Sequence, residues 1–406
     1  MSKQQILFVD DEPMVLQGLQ RTLRPQRGEW DMVFVESGAQ ALEHMAVRPF
    51  DVIVSDMLMP RMNGAELLKE VVRRHPATVR MVLSGHADKE LISQCVGVAH
   101  QFISKPCDPE QLKALVKNAC QLAGGLLDGE VKQVIGTIDR LPSEPGVFLE
   151  LREALARPDI ESRGLGAIIQ RDPGMSAKTL KLVNSAFFGM RKTVSDPQEA
   201  VAYLGVEIVR TLVLSDGIFE ALEPISSRAF KVGEVWRHSL AVAKAAQAIA
   251  KLEGMPLARQ REAYAGGLLH DVGVLILASS FPDLYDQVTE TARAKAGPLT
   301  AAEDWVFGVS HAEVGAYLLG LWGLPAHLLE IVRLHHQPPA LVGEELDPVT
   351  MVHAADVICG AAAGGSDLFG AASFDPDLLR RPWFPRRLEA WQALGVAATA
   401  MEKGDA

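Results

Sequence analysis

The sequence has few cysteines, and their spacing excludes the common cysteine-based sites. Four occur in 406 residues, and no two of them form a CxxC pair or a disulfide-like framework. We therefore expect reduced thiols in a cytoplasmic protein. The four are Cys95, Cys107, Cys120 and Cys359.

Segments that would direct the chain to a membrane or anchor it there are also lacking. Residues 1–9 have neither the charged start nor the long apolar core of a signal peptide. The most apolar later run, GGLLHDVGVLILASSF, is interrupted by His270 and Asp271. We therefore expect no membrane insertion.

Basic residues are too few and too scattered for a nucleic-acid-binding surface. The chain has 51 acidic and 40 basic residues, and its net charge is -11. It contains no Lys/Arg-rich stripe and no helix-turn-helix pattern, so we expect no nucleic-acid partner. Its length predicts two or three domains, and 48% hydrophobic residues suffice for their cores.

The N-terminal part alternates short apolar runs with amphipathic stretches. Runs such as QQILFV, DVIVS, VRMVL and HQFIS predict buried strands, and segments between them, such as GAELLKEVVRR, have helical periodicity. Strand then helix, repeated five times, predicts an α/β domain with a doubly wound parallel five-stranded sheet. In such a sheet the ligand site lies beyond the carboxyl ends of the strands.

Five polar residues stand at the ends of these runs: Asp10, Asp11, Asp56, Ser84 and Lys105. Crowded carboxylates repel one another unless a hard divalent cation lies between them, so we predict a Mg²⁺ site. Asp56 can then attack phosphorus in line, while the Lys105 ammonium and the Ser84 hydroxyl hold the oxygens of the transferred group. The alternative is a flavodoxin-like domain whose acidic residues only cap strands.

Four motifs resemble the receiver domain of two-component response regulators: DD at 10 and 11, SDMLMPRMNG around Asp56, LSGHAD, and SKP ending at Pro106. The match covers residues 4 to about 122. The resemblance implies that a histidine kinase phosphorylates Asp56 and that the Leu58 carbonyl joins the three aspartates around Mg²⁺. It also makes Phe102 the aromatic switch residue, and Pro106 a cis-proline after the phosphoryl-contacting lysine.

The domain boundaries follow from local signals. Asp108 is a good N-cap, Pro109 suits the first helical position, and Gly124-Gly125 stops the helix. We predict a receiver domain at 1–123, a helical linker at 124–142 and an output domain at 143–406 with a C-terminal helical extension. The linker can equally be the first helix of the output domain. After it the strand pattern is replaced by helical periodicity without a solenoid repeat, which predicts an irregular all-α bundle.

Histidines and aspartates recur along these predicted helices. Taken singly, each is typical of a satisfied core or surface residue. Their order, a His, a His-Asp pair and an Asp, resembles the metal-binding pattern of HD-superfamily phosphohydrolases, with His238, His270, Asp271 and Asp356 as the matching ligands. Further matches to the HD-GYP branch, whose members hydrolyse cyclic di-GMP, are Glu234, His311, His335 and His336. Imidazoles and carboxylates suit Fe, Mn or Zn at a hydrolytic centre.

The chain departs from the HD-GYP pattern at two places. Val274 replaces the lysine three residues after the HD aspartate, and the GYP signature is missing after the double histidine. Instead, RLPSEPGVFLEL, IIQRDPGMSAKTLKLVNSAFFG, VWRHSL and GLLHDVG resemble the HDOD output domain. Members of that family commonly lack hydrolase activity and act through protein contacts. Asn184 and the turn at 187–189 carry its signature, for which a structural role as helix cap, core rings and tight turn is the alternative.

Two functional hypotheses follow. In the first, phosphorylation of Asp56 changes dimer contacts or the HDOD module and exposes a surface for a downstream signalling protein. In the second, the receiver gates a metal-dependent phosphohydrolase centred on His270 and Asp271. The retained ligands favour the second hypothesis, and Val274 and the missing GYP signature favour the first.

Overall fold

The computed structural model describes residues 3–84, 97–105, 108–123, 129–138, 141–157, 159–185, 193–214, 231–295, 297–339, 346–363 and 373–404. The chain divides into two units. The first consists of Met1–Arg140, Lys181–Lys192 and Gly320–Gly323. The second consists of Leu141–Leu180, Thr193–Leu319 and Leu324–Ala406.

Five parallel strands form the sheet of the first unit, in the order β2-β1-β3-β4-β5. They are β1 (Gln4–Val9), β2 (Trp30–Val35), β3 (Val52–Asp56), β4 (Val79–Ser84) and β5 (Gln101–Ser104). The apolar side chains of β1 and β3 are almost completely buried, as expected for central strands covered on both faces. Pairing of Val9 with Ser55 brings the residues after β1 and at the end of β3 to one edge. The predicted doubly wound fold is confirmed.

Helices flank this sheet, and side chains cap the starts of two of them. They are α1 (Pro13–Thr22), α2 (Gly38–Val47), α3 (Gly64–Arg74), α4 (Pro109–Ala123) and α5 (Gly129–Thr137). The Asn63 side chain accepts from the Glu66 N–H and the Glu66 carboxylate accepts from the Asn63 N–H, which fixes the start of α3. The Asp108 carboxylate accepts from the Glu110 N–H at 2.8 Å, as the predicted cap of α4.

A buried arginine fastens α5 to the sheet of the first unit. Arg80 in β4 is 2% exposed. Its guanidinium donates to the carbonyls of Gly136 in α5 at 2.6 Å and Val98 at 2.7 Å. A Cβ at position 136 would lie 2.1 Å from the Pro76 carbonyl oxygen, so only glycine permits this approach. Helix α5, which lies within the predicted linker, therefore packs on the first unit.

Helices make up the described secondary structure of the rest of the chain, as the sequence predicts. They are α6 (Pro145–Leu155), α7 (Ser162–Ile169), α8 (Pro173–Val183), α9 (Pro197–Leu204), α10 (Val206–Leu214), α11 (Val232–Leu252), α12 (Leu257–Leu269), α13 (Val272–Ser280), α14 (Pro282–Lys295), α15 (Leu299–Phe307), α16 (His311–Leu321), α17 (Ala326–Leu334), α18 (Pro348–Ala362), α19 (Pro376–Leu379) and α20 (Phe384–Gly404). In the second unit, α11 packs against α12, α18 and α20. The core of the bundle thus lies around α11.

Among the residues that the structure describes, one helical stretch is long and apolar enough to cross a membrane. It runs over Leu257–Ser280, but 83% of its most apolar window is buried inside the structure. The core helices of globular domains have the same composition, so this stretch is weak support for a membrane span.

Candidate phosphorylation site and metal centre

The carboxyl edge of the sheet brings Asp10, Asp56 and Lys105 together. Asp10 follows β1 and is 1% exposed, and Asp56 ends β3 and is 6% exposed. The Lys105 ammonium lies between them, donating to Asp10 Oδ2 at 2.7 Å and pairing with Asp56 Oδ1. The remaining oxygens accept backbone N–H groups: Asp56 Oδ2 from Leu58 at 2.8 Å, and Asp10 Oδ1 from Glu12 at 3.0 Å.

Burial and charge act against each other in this group. Burial raises the pKa of Asp56, and the Asp10 charge adds to the rise, while Lys105 and the Leu58 N–H oppose it. Burial alone would lower the pKa of Lys105, but the hydrogen bonds and charges of Asp10 and Asp56 outweigh it and raise that pKa. The lysine therefore stays charged between the carboxylates. With the half-buried Asp11 beside them, these oxygens have the chemistry that Mg²⁺ prefers.

A glycine lets α3 approach the end of β3. A Cβ on Gly64 would lie 2.4 Å from the Asp56 carbonyl oxygen. The glycine of the MNG motif is thus required by the close packing of backbone beside the predicted phosphoacceptor.

The predicted switch residues Ser84 and Phe102 lie on β4, which pairs with β3, and on β5, which pairs with β4. Ser84 ends β4, Phe102 in β5 is 4% exposed, and β4 pairs in register with β5. The Lys105 N–H donates to the Ser84 carbonyl at 2.7 Å. Ser84, Phe102 and Lys105 therefore lie on or directly after these two paired strands, and their switch roles stay a prediction. Pro106 lies outside the described residues.

In the second unit, seven predicted ligands converge from separate helices. His238 lies in α11, the His270-Asp271 pair joins α12 to α13, and His311 begins α16. His335 and His336 follow α17, and Asp356 lies in α18. Their ligand atoms form two groups, each within 4.8 Å: Asp271, His311, His335 and His336, and His238, His270 and Asp356. Except for the half-buried His336, they are buried.

The Asp271 carboxylate faces both groups. Its Oδ2 lies 3.2 Å from His270 Nε2, and its Oδ1 lies 3.2 Å from His311 Nε2 and 3.7 Å from His335 Nε2. On the other side, Asp356 Oδ1 lies 2.9 Å from His238 Nε2. Asp271 therefore offers one carboxylate oxygen toward each group, and Asp356 offers an oxygen to the second group.

Three of the histidines are anchored through Nδ1. Those of His270 and His335 donate to the carbonyls of Gly267 and Val332, each at 2.7 Å. His311 Nδ1 contacts Glu303 Oε2 at 2.7 Å. A carbonyl can only accept, so His270 and His335 donate from Nδ1. A neutral imidazole that donates from Nδ1 has its lone pair on Nε2.

These lone pairs converge on the carboxylates. The buried Nε2 of His270 has no hydrogen-bond partner although it lies 3.2 Å from an Asp271 oxygen. A nitrogen lone pair that faces a carboxylate oxygen is repelled unless a proton or a metal cation lies between them. Burial alone would lower the pKa of His270, but the Asp271 carboxylate outweighs it and raises that pKa, so a proton or a metal cation fits between the two side chains. Imidazole plus carboxylate donors fit Fe, Mn or Zn.

The electrostatics of the cluster favour ionised carboxylates. Burial favours the neutral acid, but His270 and His311 hold the pKa of Asp271 well below its usual range. Burial lowers the pKa of His335 well below its ordinary value and that of His336 to about 4, so both remain neutral. Burial also opposes the charge of His311, but Glu303 and Asp271 raise its pKa well above the ordinary value. A metal bound by His311 must displace that proton.

Comparison with known proteins assigns both units. The family model of the response regulator receiver domain matches residues 6–117, and that of the HDOD domain matches residues 141–338. The chain joins a response regulator receiver domain to an HDOD domain. This confirms the two resemblances read from the sequence.

Individual relatives match parts of this arrangement. An uncharacterized protein of Treponema pallidum (strain Nichols) is 31% identical over 202 residues, 50% of this chain and 39% of the relative. The response regulator protein PilR of Pseudomonas aeruginosa is 32% identical over 123 residues, 30% of this chain and 27% of PilR. The solved MmoQ response regulator from Methylococcus capsulatus str. Bath has 25% identity and a TM-score of 0.47, over 65% of this chain and 97% of that chain. The chain thus spans less than two fifths of the length of the Treponema pallidum relative and of PilR.

Two positions of the HDOD domain stand apart from the ligand cluster. Glu234 lies one turn before His238 in α11, but its carboxylate lies 3.5 Å from the Lys231 ammonium, and neither described ligand group includes it. Val274 is 1% exposed and apolar, so no cation occupies the position of the HD-GYP lysine. Asn184 directly follows α8, and the turn at 187–189 lies outside the described residues.

Sequence reasoning missed Glu303 and Tyr285, which support His311 from α15 and α14. Glu303 is completely buried although it is acidic. It lies on the apolar face of α15 with Leu299, Val306 and Phe307. An acidic residue at an apolar position of an amphipathic helix is the signal that could have revealed it.

Proposed function

We propose that this protein is a two-component response regulator in which phosphorylation of Asp56 by a histidine kinase switches the HDOD domain. The main structural support for this proposal is the position of the Lys105 ammonium between Asp10 and Asp56 at the carboxyl edge of the sheet. A receiver domain implies a phosphodonor such as a histidine kinase. The switched HDOD domain then acts by binding a downstream signalling protein.

The residues around Asp56 have distinct roles in this proposal. An Asp56 carboxylate oxygen attacks phosphorus, forming a P–O bond as the P–N bond to the kinase histidine breaks. Asp10, Asp11, Asp56 and the Leu58 carbonyl would hold Mg²⁺, which would neutralise charge on the transferred oxygens. Lys105 exchanges its pairing with Asp56 for a phosphoryl oxygen, and the Ser84 hydroxyl moves toward another. The Phe102 ring follows into the space that Ser84 leaves.

The phosphorylation step is tested with acetyl phosphate and Mg²⁺, with intact mass as the measurement. We expect one phosphoryl group on the wild-type chain and none on Asp56→Asn. Asp31→Asn is the matched control, because Asp31 is a surface residue paired with Arg48. Labelling of Asp56→Asn at another site would contradict the assignment.

The coupling step is tested by hydrogen exchange on the full chain. We expect phosphorylation to change amide exchange within residues 143–406, and Asp56→Asn treated in the same way to show no change. The buried Val274 supports an output through protein contacts, since it removes the cation expected of an HD-GYP hydrolase. Unchanged exchange in the phosphorylated wild type would refute a conformational switch of the HDOD domain.

A second candidate is a receiver-gated metal-dependent phosphohydrolase, favoured by the two ligand groups and by the Asp271 carboxylate, which faces His311 in one group and His270 in the other. Its metals would polarise a phosphodiester for attack by water. Metal content is measured on anaerobically purified protein without chelators, beside a His270→Ala, Asp271→Ala variant. His327→Ala is a matched control, because His327 bonds to Ser195 at 2.7 Å, away from the cluster.

The outcomes of this measurement separate the two candidates. One or two Fe, Mn or Zn ions per chain, lost only in the double variant, would establish the centre. Assays on cyclic dinucleotides with and without phosphorylated Asp56 would then decide on turnover. Near-zero metal in all three proteins would refute the hydrolase hypothesis. The first proposal, in which the HDOD domain binds a downstream signalling protein, would be unaffected.

A further inference from the structure

A fully buried carboxylate supports one histidine of the metal centre and has no other described role. Glu303 and Tyr285 both have 0% exposure. The Tyr285 hydroxyl donates to Glu303 Oε1 at 3.0 Å. Glu303 Oε2 accepts from the His311 backbone N–H at 2.8 Å and contacts His311 Nδ1 at 2.7 Å. Each oxygen of the carboxylate therefore has a defined partner.

This arrangement fixes the orientation of the His311 ring. With Nδ1 held by the carboxylate, Nε2 points into the cluster, 3.2 Å from Asp271 Oδ1 and 3.0 Å from His336 Nε2. The backbone bond to the same oxygen also fixes the first residue of α16. The ring is thus restrained at two points.

The support of His311 differs from that of the two other anchored histidines. His270 and His335 donate to neutral backbone carbonyls, whereas His311 faces a carboxylate. A carboxylate on the far ring nitrogen raises the basicity of the ligating nitrogen more than a carbonyl does. The Tyr285 hydroxyl keeps its proton, because burial and the Glu303 charge raise its pKa well above the ordinary value.

We propose that Glu303, held by Tyr285, is a positioning residue that makes His311 a stronger nitrogen donor than His270 and His335 and sets the divalent-metal affinity of the group Asp271, His311, His335 and His336. The inference rests on the metal-binding part of the proposed function. It requires no turnover and applies equally to a metal site with a structural role.

The test measures zinc affinity on the full chain by competition with a chromophoric chelator. Excess Mg²⁺ is present to occupy the oxygen ligands of the receiver domain, and thermal unfolding of the metal-free forms checks the fold. The variants are Glu303→Gln, Tyr285→Phe and His311→Ala. Glu313→Gln is the matched control, since Glu313 lies in α16 with His311 and its carboxylate accepts from the hydroxyl and the N–H of Ser310, at 2.9 Å and 3.1 Å.

We expect Glu303→Gln to weaken zinc binding about 10- to 100-fold, the usual effect of removing such a support. Tyr285→Phe should weaken it less, because the carboxylate remains, and Glu313→Gln should match the wild type. A merely structural Glu303 would lower the unfolding temperature and leave zinc affinity unchanged.

Three results would overturn the inference. Wild-type affinity in Glu303→Gln, with zinc lost in His311→Ala, refutes the positioning role and leaves the metal centre standing. If Glu303→Gln does not fold, Tyr285→Phe decides, and an affinity equal to that of Glu313→Gln refutes the role. No zinc uptake by the wild type overturns both the inference and the metal-binding part of the proposed function.

Discussion

Replacing Gly273 with alanine is expected to push His311 out of the metal centre. Gly273 lies in α13, two residues after Asp271, where α13 crosses the start of α16. A Cβ there would lie 1.9 Å from the His311 carbonyl oxygen, and ordinary contact begins at 3.4 Å. The two backbones must therefore separate by about 1.5 Å.

The size of the effect follows from what must move. Overpacking a core costs about 1–3 kcal/mol, and we expect the upper end, about 3 kcal/mol, because the obstructing atoms are backbone. A ligand shell tolerates displacements of about 0.5 Å. Since the required shift is larger, zinc affinity should fall by about 100-fold or more.

The assay combines denaturant unfolding of the chelated protein with zinc titration. Gly233→Ala is the matched control in the same unit, because the nearest atom to a Cβ there is an Arg237 guanidinium nitrogen at 3.6 Å. Alanine in that helix should stabilise by up to about 1 kcal/mol. Wild-type stability and zinc affinity in Gly273→Ala would refute the close packing of α13 on α16.

Three further predictions concern other buried groups. Burial raises the pKa of Asp172 to about 6, above its unfolded value, so its stabilising contribution is full below about pH 4 and is lost as the pH rises to about 6. The free energy of unfolding of Asp172→Asn, measured with denaturant, should rise relative to that of the wild type by up to about 3 kcal/mol over that range. A difference independent of pH would contradict this. Arg80→Met should cost about 3 kcal/mol, because the Gly136 and Val98 carbonyls lose their donor, and should speed amide exchange in α5; unchanged exchange there would argue against the contact. Burial raises the pKa of Cys120 and of Cys359 to about 12, so mass spectrometry should find neither alkylated by iodoacetamide at pH 8 before denaturation, and rapid native labelling would contradict their burial.

The grouping of Asp10, Asp56 and Lys105 at the proposed phosphorylation site could be predicted from local patterns. The apolar runs identify strands, and a parallel sheet places their carboxyl ends at one edge whatever the details of packing. Asp10, Asp56 and Lys105 therefore come together by topology alone. The sequence could not show that the Lys105 ammonium pairs with both aspartates, because that depends on side-chain geometry.

The ligands of the candidate metal centre could be predicted only from motifs that resemble a known family. Seven candidate ligands could be named. Helical periodicity alone does not predict that side chains of α11, α16 and α18 lie close together. Glu234 illustrates the difficulty: it shares a helix face with His238, yet its carboxylate lies beside Lys231 rather than within a ligand group.

The sequence by itself determined the order of the two domains, the strands and helices, and the identity of the reactive side chains, because these depend on local periodicity and residue chemistry. Only the tertiary structure decided that Asp271 faces both ligand groups, that Glu303 supports His311, and that Arg80 holds α5. Each of these depends on side-chain directions where helices or strands cross. Those directions arise from packing between segments far apart in the chain, which no local pattern encodes.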